Sequence, residues 1–281
     1  MSANSWAYVP ASPSRIVKAW GCAFGGFSER AATSVERLEL PAASAVIVLC
    51  CGEPLILQPA LSSGSSSRIC AFSAGLQVEA QYVTHAGNND CVEIRIPPLA
   101  AYALFGGAVA EPSREPVSLL DVTRQPIDAL LEQLRAASEW QDRLSAVDQF
   151  LARGFADSAR RIPSELTWAW ETLECSHGQV CIGAIARAIG WSERHLINRF
   201  RTYFGVRPKE TARRLRFSHA FNLVSTHSTG DLSAIAAQAG FSDQSHMTRE
   251  FQAFCGLTPG VVRTARFNDL PGIPAAALRR R

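Results

Sequence analysis

The chain has 281 residues, 47% of them hydrophobic and 19% charged, with a formal net charge of +3. That length fits two domains of ~100–200 residues with real apolar cores, which excludes a disordered chain, and no run of about 18 apolar residues is present to cross a membrane. The small net charge hides an asymmetry: residues 1–160 carry 12 basic against 16 acidic side chains, a net −4, and residues 161–281 carry 16 against 9, a net +7 that hints at nucleic acid.

In chain order, the N-terminal segment MSANSWAYVPASPSR has no basic start followed by an apolar run, so no secretory signal is expected. A cytoplasmic, nucleoid-associated location follows, in which the eight cysteines stay reduced. Cys50, Cys51 and Cys70 sit among apolar neighbours and read as small core residues. Ser44 to Cys51 and Leu76 to Val83 are candidate strands. Val92, Ile94 and Ile96 alternate with Glu93 and Arg95, the period of a half-buried strand, which Pro97 and Pro98 end. Leu61 to Ser67 is a Ser/Gly loop. Residues 1–121 are therefore expected to form a β-rich barrel or sandwich.

From Pro126 the period changes. Ile127, Leu130, Leu131 and Leu134, then Trp140, Leu144, Val147 and Leu151, recur at helical spacing. Residues 122–160 are expected to hold two amphipathic helices, or one broken helix. Their apolar stripe is expected either on the β region or on a second subunit. A boundary falls near Arg160 to Pro163, and residues 165–268 form the C-terminal unit. The fold class is α+β.

The most specific feature is an internal repeat. AIARAIGWS at residues 184–192 matches AIAAQAGFS at residues 234–242, an offset of 50. After one inserted residue the match resumes at Arg199-Phe200 against Glu250-Phe251, and then at Pro208 against Pro259. Each copy reads as helix, tight turn, helix. Gly190 and Gly240 supply the left-handed residue, and Trp191 and Phe241 plug the angle between helices. Ser192 and Ser242 stand where an N-cap belongs, with Glu193 and Asp243 beside the positive end of the helix dipole. That is a helix-turn-helix, whose second helix enters the DNA major groove.

Between the copies, Lys209 to Thr226 is expected to be one helix with the stripe Leu215, Ala220, Phe221, Leu223 and Val224. At ~1.5 Å per residue such a rod is about 27 Å long, against ~34 Å between successive major-groove faces, a shortfall that bending of the DNA would meet. Helical phase turns Leu196 and Phe200 inward and leaves Arg194, Ile197, Asn198 and Arg201 outward. In the second copy Met247 and Phe251 turn inward, leaving Gln244, Ser245, Thr248 and Arg249 to the DNA. Arg pairs with guanine, and Asn or Gln pairs bidentately with adenine. Arg207, Lys209, Arg213, Arg214 and Arg216 are placed for phosphates or for intramolecular acids.

With these residues in place, the C-terminal part resembles the AraC/XylS family of transcriptional regulators. The resemblance is carried by Ile235 to Phe251, by Gly256 to Pro259 and by Arg216 to Ala220, and covers about residues 165–268. It implies two helix-turn-helix units reading one face of double-stranded DNA beside a promoter or operator, with RNA polymerase as a further partner. The front half resembles more weakly the cupin-like β regions that precede such domains and sense a small molecule or mediate dimerisation. Pro97 to Gly106 and the helices after Val117 to Asp121 carry that likeness. It implies an effector of unknown identity, and a homodimer through residues 126–152 is expected.

Enzyme readings find no support. Residues 1–160 contain a single histidine, His85, too few for a metal-dependent cupin. There is no Gly-x-Ser-x-Gly elbow, no phosphate-binding loop with Lys and no His-Glu-x-x-His. Cys175, His177 and Cys181 lack an evident fourth zinc ligand. Nothing basic near Cys50 and Cys51 would activate a thiol. No catalytic residue, metal or cofactor is expected. The competing class is an architectural, non-regulatory DNA-binding protein whose front half only oligomerises.

Overall fold

The computed structural model describes the chain apart from residues 1–4, 42–43, 76–78, 107–115, 123–125, 159, 227–229, 265–272 and 276–281. Short β-branched and alternating segments build the first half. β1 is Ser5–Pro10, α1 Arg15–Ala19, β2 Ala23–Arg30, β3 Val35–Glu39, β4 Ala45–Cys50, β5 Leu55–Pro59, β6 Ser67–Ile69, β7 Ala71–Ala74, β8 Gln81–His85 and β9 Asn88–Ile96. Helices then take over, with one short strand among them: α2 Pro98–Phe105, β10 Val117–Ser118, α3 Leu119–Val122, α4 Ile127–Ala136 and α5 Trp140–Asp157. The last part runs α6 Ser164–Cys175, α7 Ile182–Ala188, α8 Glu193–Phe204, α9 Pro208–Thr226, α10 Leu232–Gln238, α11 Gln244–Cys255, α12 Pro259–Thr264 and β11 Ile273–Pro274.

Two antiparallel sheets face each other, ordered β1-β2-β9-β4-β7-β10 and β11-β3-β8-β5-β6. The strand expected at Leu76 to Val83 forms later, at Gln81–His85, where it pairs with both β3 and β5. Residues 76–78 of that expectation lie outside the described residues. The alternation in β9 settles which side each residue serves. Val92, Ile94 and Ile96 turn to the helices and are at most 1% exposed. Cys91, Glu93 and Arg95 turn the other way, toward the second sheet. The polar face of this strand is thus not an open surface, as half-burial alone suggested, but one wall of a space between the sheets.

The densest core lies on the helix side of the six-stranded sheet. There Phe24, Ile47, Leu49, Val92 and Ile94 meet Ile127, Leu130, Leu131, Leu134, Leu144, Val147 and Leu151. The expected stripe of α4 and α5 is therefore buried on the sheet, and any contact these helices make with a second subunit has to use their other faces. Gly26 lets α5 come this close, since a β-carbon there would overlap the Trp140 ring. Arg143 fastens the corner between the helices, donating from Nε to the Leu134 and Ala137 carbonyls at 3.1 and 3.0 Å. These are carbonyls that the end of α4 leaves without a helical partner.

The C-terminal helices form two small cores. Leu166, Trp170, Leu173, Ile185, Leu196, Phe200 and Phe204 make the first, and Ala212 and Leu215 of α9 join it. Ile235, Phe241, Met247, Phe251 and Cys255 make the second, joined by Phe217, Ala220 and Val224 from the same helix. So α9 is shared end to end. Its stripe holds Leu215, Ala220 and Val224 as expected, and adds Phe217, 1% exposed, which the periodicity did not single out. β11 returns from the far end of the chain and pairs Ile273 with Leu38 of β3, a contact with no signal in the local residue pattern.

Candidate nucleic-acid interface

Each half of the repeat folds as one helix-turn-helix. α7 and α10 end in Gly190 and Gly240 at φ +72° and +80°, the left-handed region that glycine enters without steric cost. In the first unit the Ser192 hydroxyl accepts from the His195 backbone N–H at 3.2 Å and caps α8. The second unit departs from expectation. Its cap is Asp243, whose carboxylate accepts from the His246 N–H at 2.7 Å, while the Ser242 hydroxyl donates to Asp243. The single inserted residue lies in this turn, so α11 starts 51 residues after α8 and the cap moves with it. Ser192→Ala is expected to cost about 1 kcal/mol of stability. In the second unit the drop in melting temperature should fall on Asp243→Ala and not on Ser242→Ala.

The recognition helices turn their inward residues as expected, with Leu196, Phe200, Met247 and Phe251 all fully buried. Arg194, Asn198 and Arg201 are exposed on α8 and Ile197 is half-buried. On α11 Gln244, Ser245 and Arg249 are exposed and Thr248 is half-buried. The offset of 51 pairs Arg194 with Ser245, Ile197 with Thr248, Asn198 with Arg249, and Arg201 with Gln252. Gln252 is exposed on that face and the sequence reading missed it, although following the offset past the insertion would have found it.

The basic residues of α9 divide. Arg213 holds Glu250 of α11 bidentately, at 3.1 Å from Nε and 2.9 Å from Nη2. Arg216 donates to the Gly178 carbonyl at 2.6 Å. Both are struts of the domain. Arg214 lies over the Phe254 ring, 5.4 Å from its centroid. Arg207 and Lys209, at the start of α9, are exposed.

Among the described residues no cluster of three or more His, Cys, Asp or Glu side chains is placed to hold a metal. Burial pushes the Cys50 thiol up to about 12 and Cys51 up to about 11, which makes both poor nucleophiles.

A second site lies beside the reading helices. A cavity of about 590 Å³ occupies the space between the two sheets and is closed on one side by α9. Phe27, Val48, Leu57 and Phe72 line it from the strands, and Phe217, Ser218, Phe221, Asn222 and Ser225 line it from α9, one face at helical spacing. In its wall the Glu29 carboxylate accepts from Arg37 Nε at 3.1 Å and from His85 Nε2 at 3.0 Å. The Gly87 N–H donates to His85 Nδ1, which leaves Nε2 as the nitrogen that carries the proton. Burial pushes the Glu29 carboxyl up, but the hydrogen bonds from His85 and Arg37 and the charge of Arg37 outweigh it and hold the group below the usual carboxylate value.

Residues 185–265 match the family described as a helix-turn-helix domain. No curated protein matches the chain. Among solved structures, an apo ToxT variant from Vibrio cholerae strain SCE256 is 11% identical, covering 90% of this chain and 98% of that one at a TM-score of 0.47. ToxT from Vibrio cholerae O395 is 13% identical over 94% and 98%, at 0.45. An AraC-type DNA-binding regulator from Chromobacterium violaceum is 25% identical over 37% of this chain and 94% of that one, at 0.34.

Two in-register helix-turn-helix units on a shared helix, together with the domain match, define a DNA-binding transcription regulator. Among the described residues no helix is long and apolar enough to cross a membrane.

Proposed function

We propose that this regulator reads a specific site beside a promoter with both recognition helices, under the control of a small molecule held between the sheets. The observation that carries the reading is the shared wall: the cavity of the β region is closed by the helix that spaces α8 from α11. A molecule that fills the space touches α9 directly. Tyr102 of α2 also packs on Tyr203 of α8, ring centroids 4.6 Å apart, so each helix-turn-helix unit has a contact with the front half. Base reading falls to Arg194, Ile197, Asn198 and Arg201 on α8, and to Gln244, Ser245, Thr248, Arg249 and Gln252 on α11. Arg207 and Lys209 take phosphates.

The test uses the full chain, because β11 completes the sheet that walls the cavity. Footprinting is expected to show a preferred sequence spanning successive major grooves. A thermal-shift screen of small molecules is expected to yield a stabilising compound that changes footprint affinity, as linkage requires. Footprints without a preferred sequence would instead support the architectural reading. A stabilising compound with no effect on the footprint would remove ligand control.

A further inference from the structure

We infer that the ligand of this cavity is an amphipathic organic cation, an ammonium on an aromatic or aliphatic body, with its charge seated on Glu39. This rests on the ligand-controlled reading above and adds the chemistry.

The strand register places the polar groups together. Glu39 of β3 stands directly opposite Gln81 of β8, and Arg37 is the next residue of β3 on that same face. Directly opposed residues have β-carbons ~4.5–5.5 Å apart, so one ligand head reaches Glu39 and Gln81 together, with Arg37 beside them. Each group has capacity that the protein leaves unused. Among the described residues the Glu39 side chain makes no hydrogen bond or ion pair, while Gln81 Oε1 and Arg37 Nη1 are buried without a partner. The Arg37 side chain is only 8% exposed.

Two acceptors and one donor fit an ammonium, whose N–H groups reach Glu39 and Gln81 Oε1, with Arg37 Nη1 left for an acceptor elsewhere on the ligand. The charge balance weighs against the opposite assignment. The wall carries Glu29, Glu39, Glu79 and Glu93 against Arg37 and Arg95. Arg37 is already paired with Glu29, and Arg95 donates to Glu93 at 3.0 Å. A carboxylate placed here would meet Glu39 and Glu93, and Arg37 Nη1, on a guanidinium whose charge already answers Glu29, is among the described lining residues the one buried charged donor left to offset both. Burial, and after it the like charge of Glu93, push the Glu39 carboxyl up to about 7, and a cation seated beside it favours the charged form. The remaining lining, with Phe27, Phe72, Phe217 and Phe221, suits an aromatic body.

The test titrates the full chain with three probes of one shape, 4-phenylbutylamine, 4-phenylbutanol and 4-phenylbutyrate, read by calorimetry and thermal shift. The amine is expected to bind at least tenfold more tightly than the other two. Glu39→Gln is expected to remove that advantage and to leave the alcohol unaffected. Glu93→Gln, on the facing sheet, provides a second variant and should weaken the amine by a smaller factor. Tighter binding of the butyrate or the alcohol would overturn the cationic assignment while leaving ligand control standing. Binding by none of the three would also overturn it, whereas ligand control itself stands or falls with the footprint response. Amine binding that survives both substitutions would overturn the seat on Glu39.

Discussion

Replacing Asn198 and Gln244 together by alanine is expected to lower affinity for the preferred DNA site by about 1.5 to 4 powers of ten. A side chain that pairs with a base edge contributes ~1–3 kcal/mol of discrimination, and tenfold in affinity is ~1.4 kcal/mol. The two residues sit on α8 and α11, anchored in separate cores through Phe200 and Phe251, so their losses should add. Binding to unrelated DNA should hardly change, because phosphate contacts supply it and neither substitution removes a charge. The measurement is a competition titration of the preferred site against scrambled DNA at fixed salt. An equal loss on both would show that these residues hold the helices and do not read bases. Each single variant also reports on its own helix-turn-helix unit. A normal Gln244→Ala beside a weakened Asn198→Ala would leave base reading to the first unit.

The reading helices were legible in sequence because their constraint is local. Gly190 and Gly240 mark their turns, the inward residues recur every three or four positions, and two copies confirm one another. The same locality explains the slip at the second cap. An insertion between Ser242 and Phe251 has no visible position until the turn is seen, and it carried the cap to Asp243 and Gln252 onto the exposed face of α11. The cavity was not legible. In β3 the charged Arg37 and Glu39 face the space between the sheets, whereas a charged face on a short strand ordinarily signals solvent. Only pairing with β8 reveals which side is inside. Phe217 was missed for a related reason, since α9 serves two cores and the front half at once, and no single stripe describes three neighbours. β11 pairs residues more than 230 positions apart, a contact that no periodicity announces.

Arg37→Met is expected to be among the most destabilising single substitutions in the front half, at about 3–5 kcal/mol near neutral pH. The Glu29 carboxylate is 2% exposed and Arg37 bonds both of its oxygens. Breaking a buried pair by removing one partner leaves an uncompensated charge, which costs this much out of a typical total of ~5–15 kcal/mol. Two further measurements separate lost charge pairing from lost packing. First, adding Glu29→Gln to Arg37→Met should recover part of the loss, since the stranded charge is then gone. Second, the effect should depend on acid. Because Glu29 titrates below its unfolded value of ~4.3 in the native chain, its contribution is complete above that pH and lost as pH falls through the native value. Without Arg37 only the His85 hydrogen bond is left to oppose burial, so the depression shrinks. The gap in melting temperature between parent and variant should therefore be widest near pH 7 and narrow below about pH 4. A gap of equal size at about pH 7 and about pH 3.5 would assign the loss to packing of the arginine stem, and the pair would then be a spacer in the cavity wall and not its electrostatic anchor.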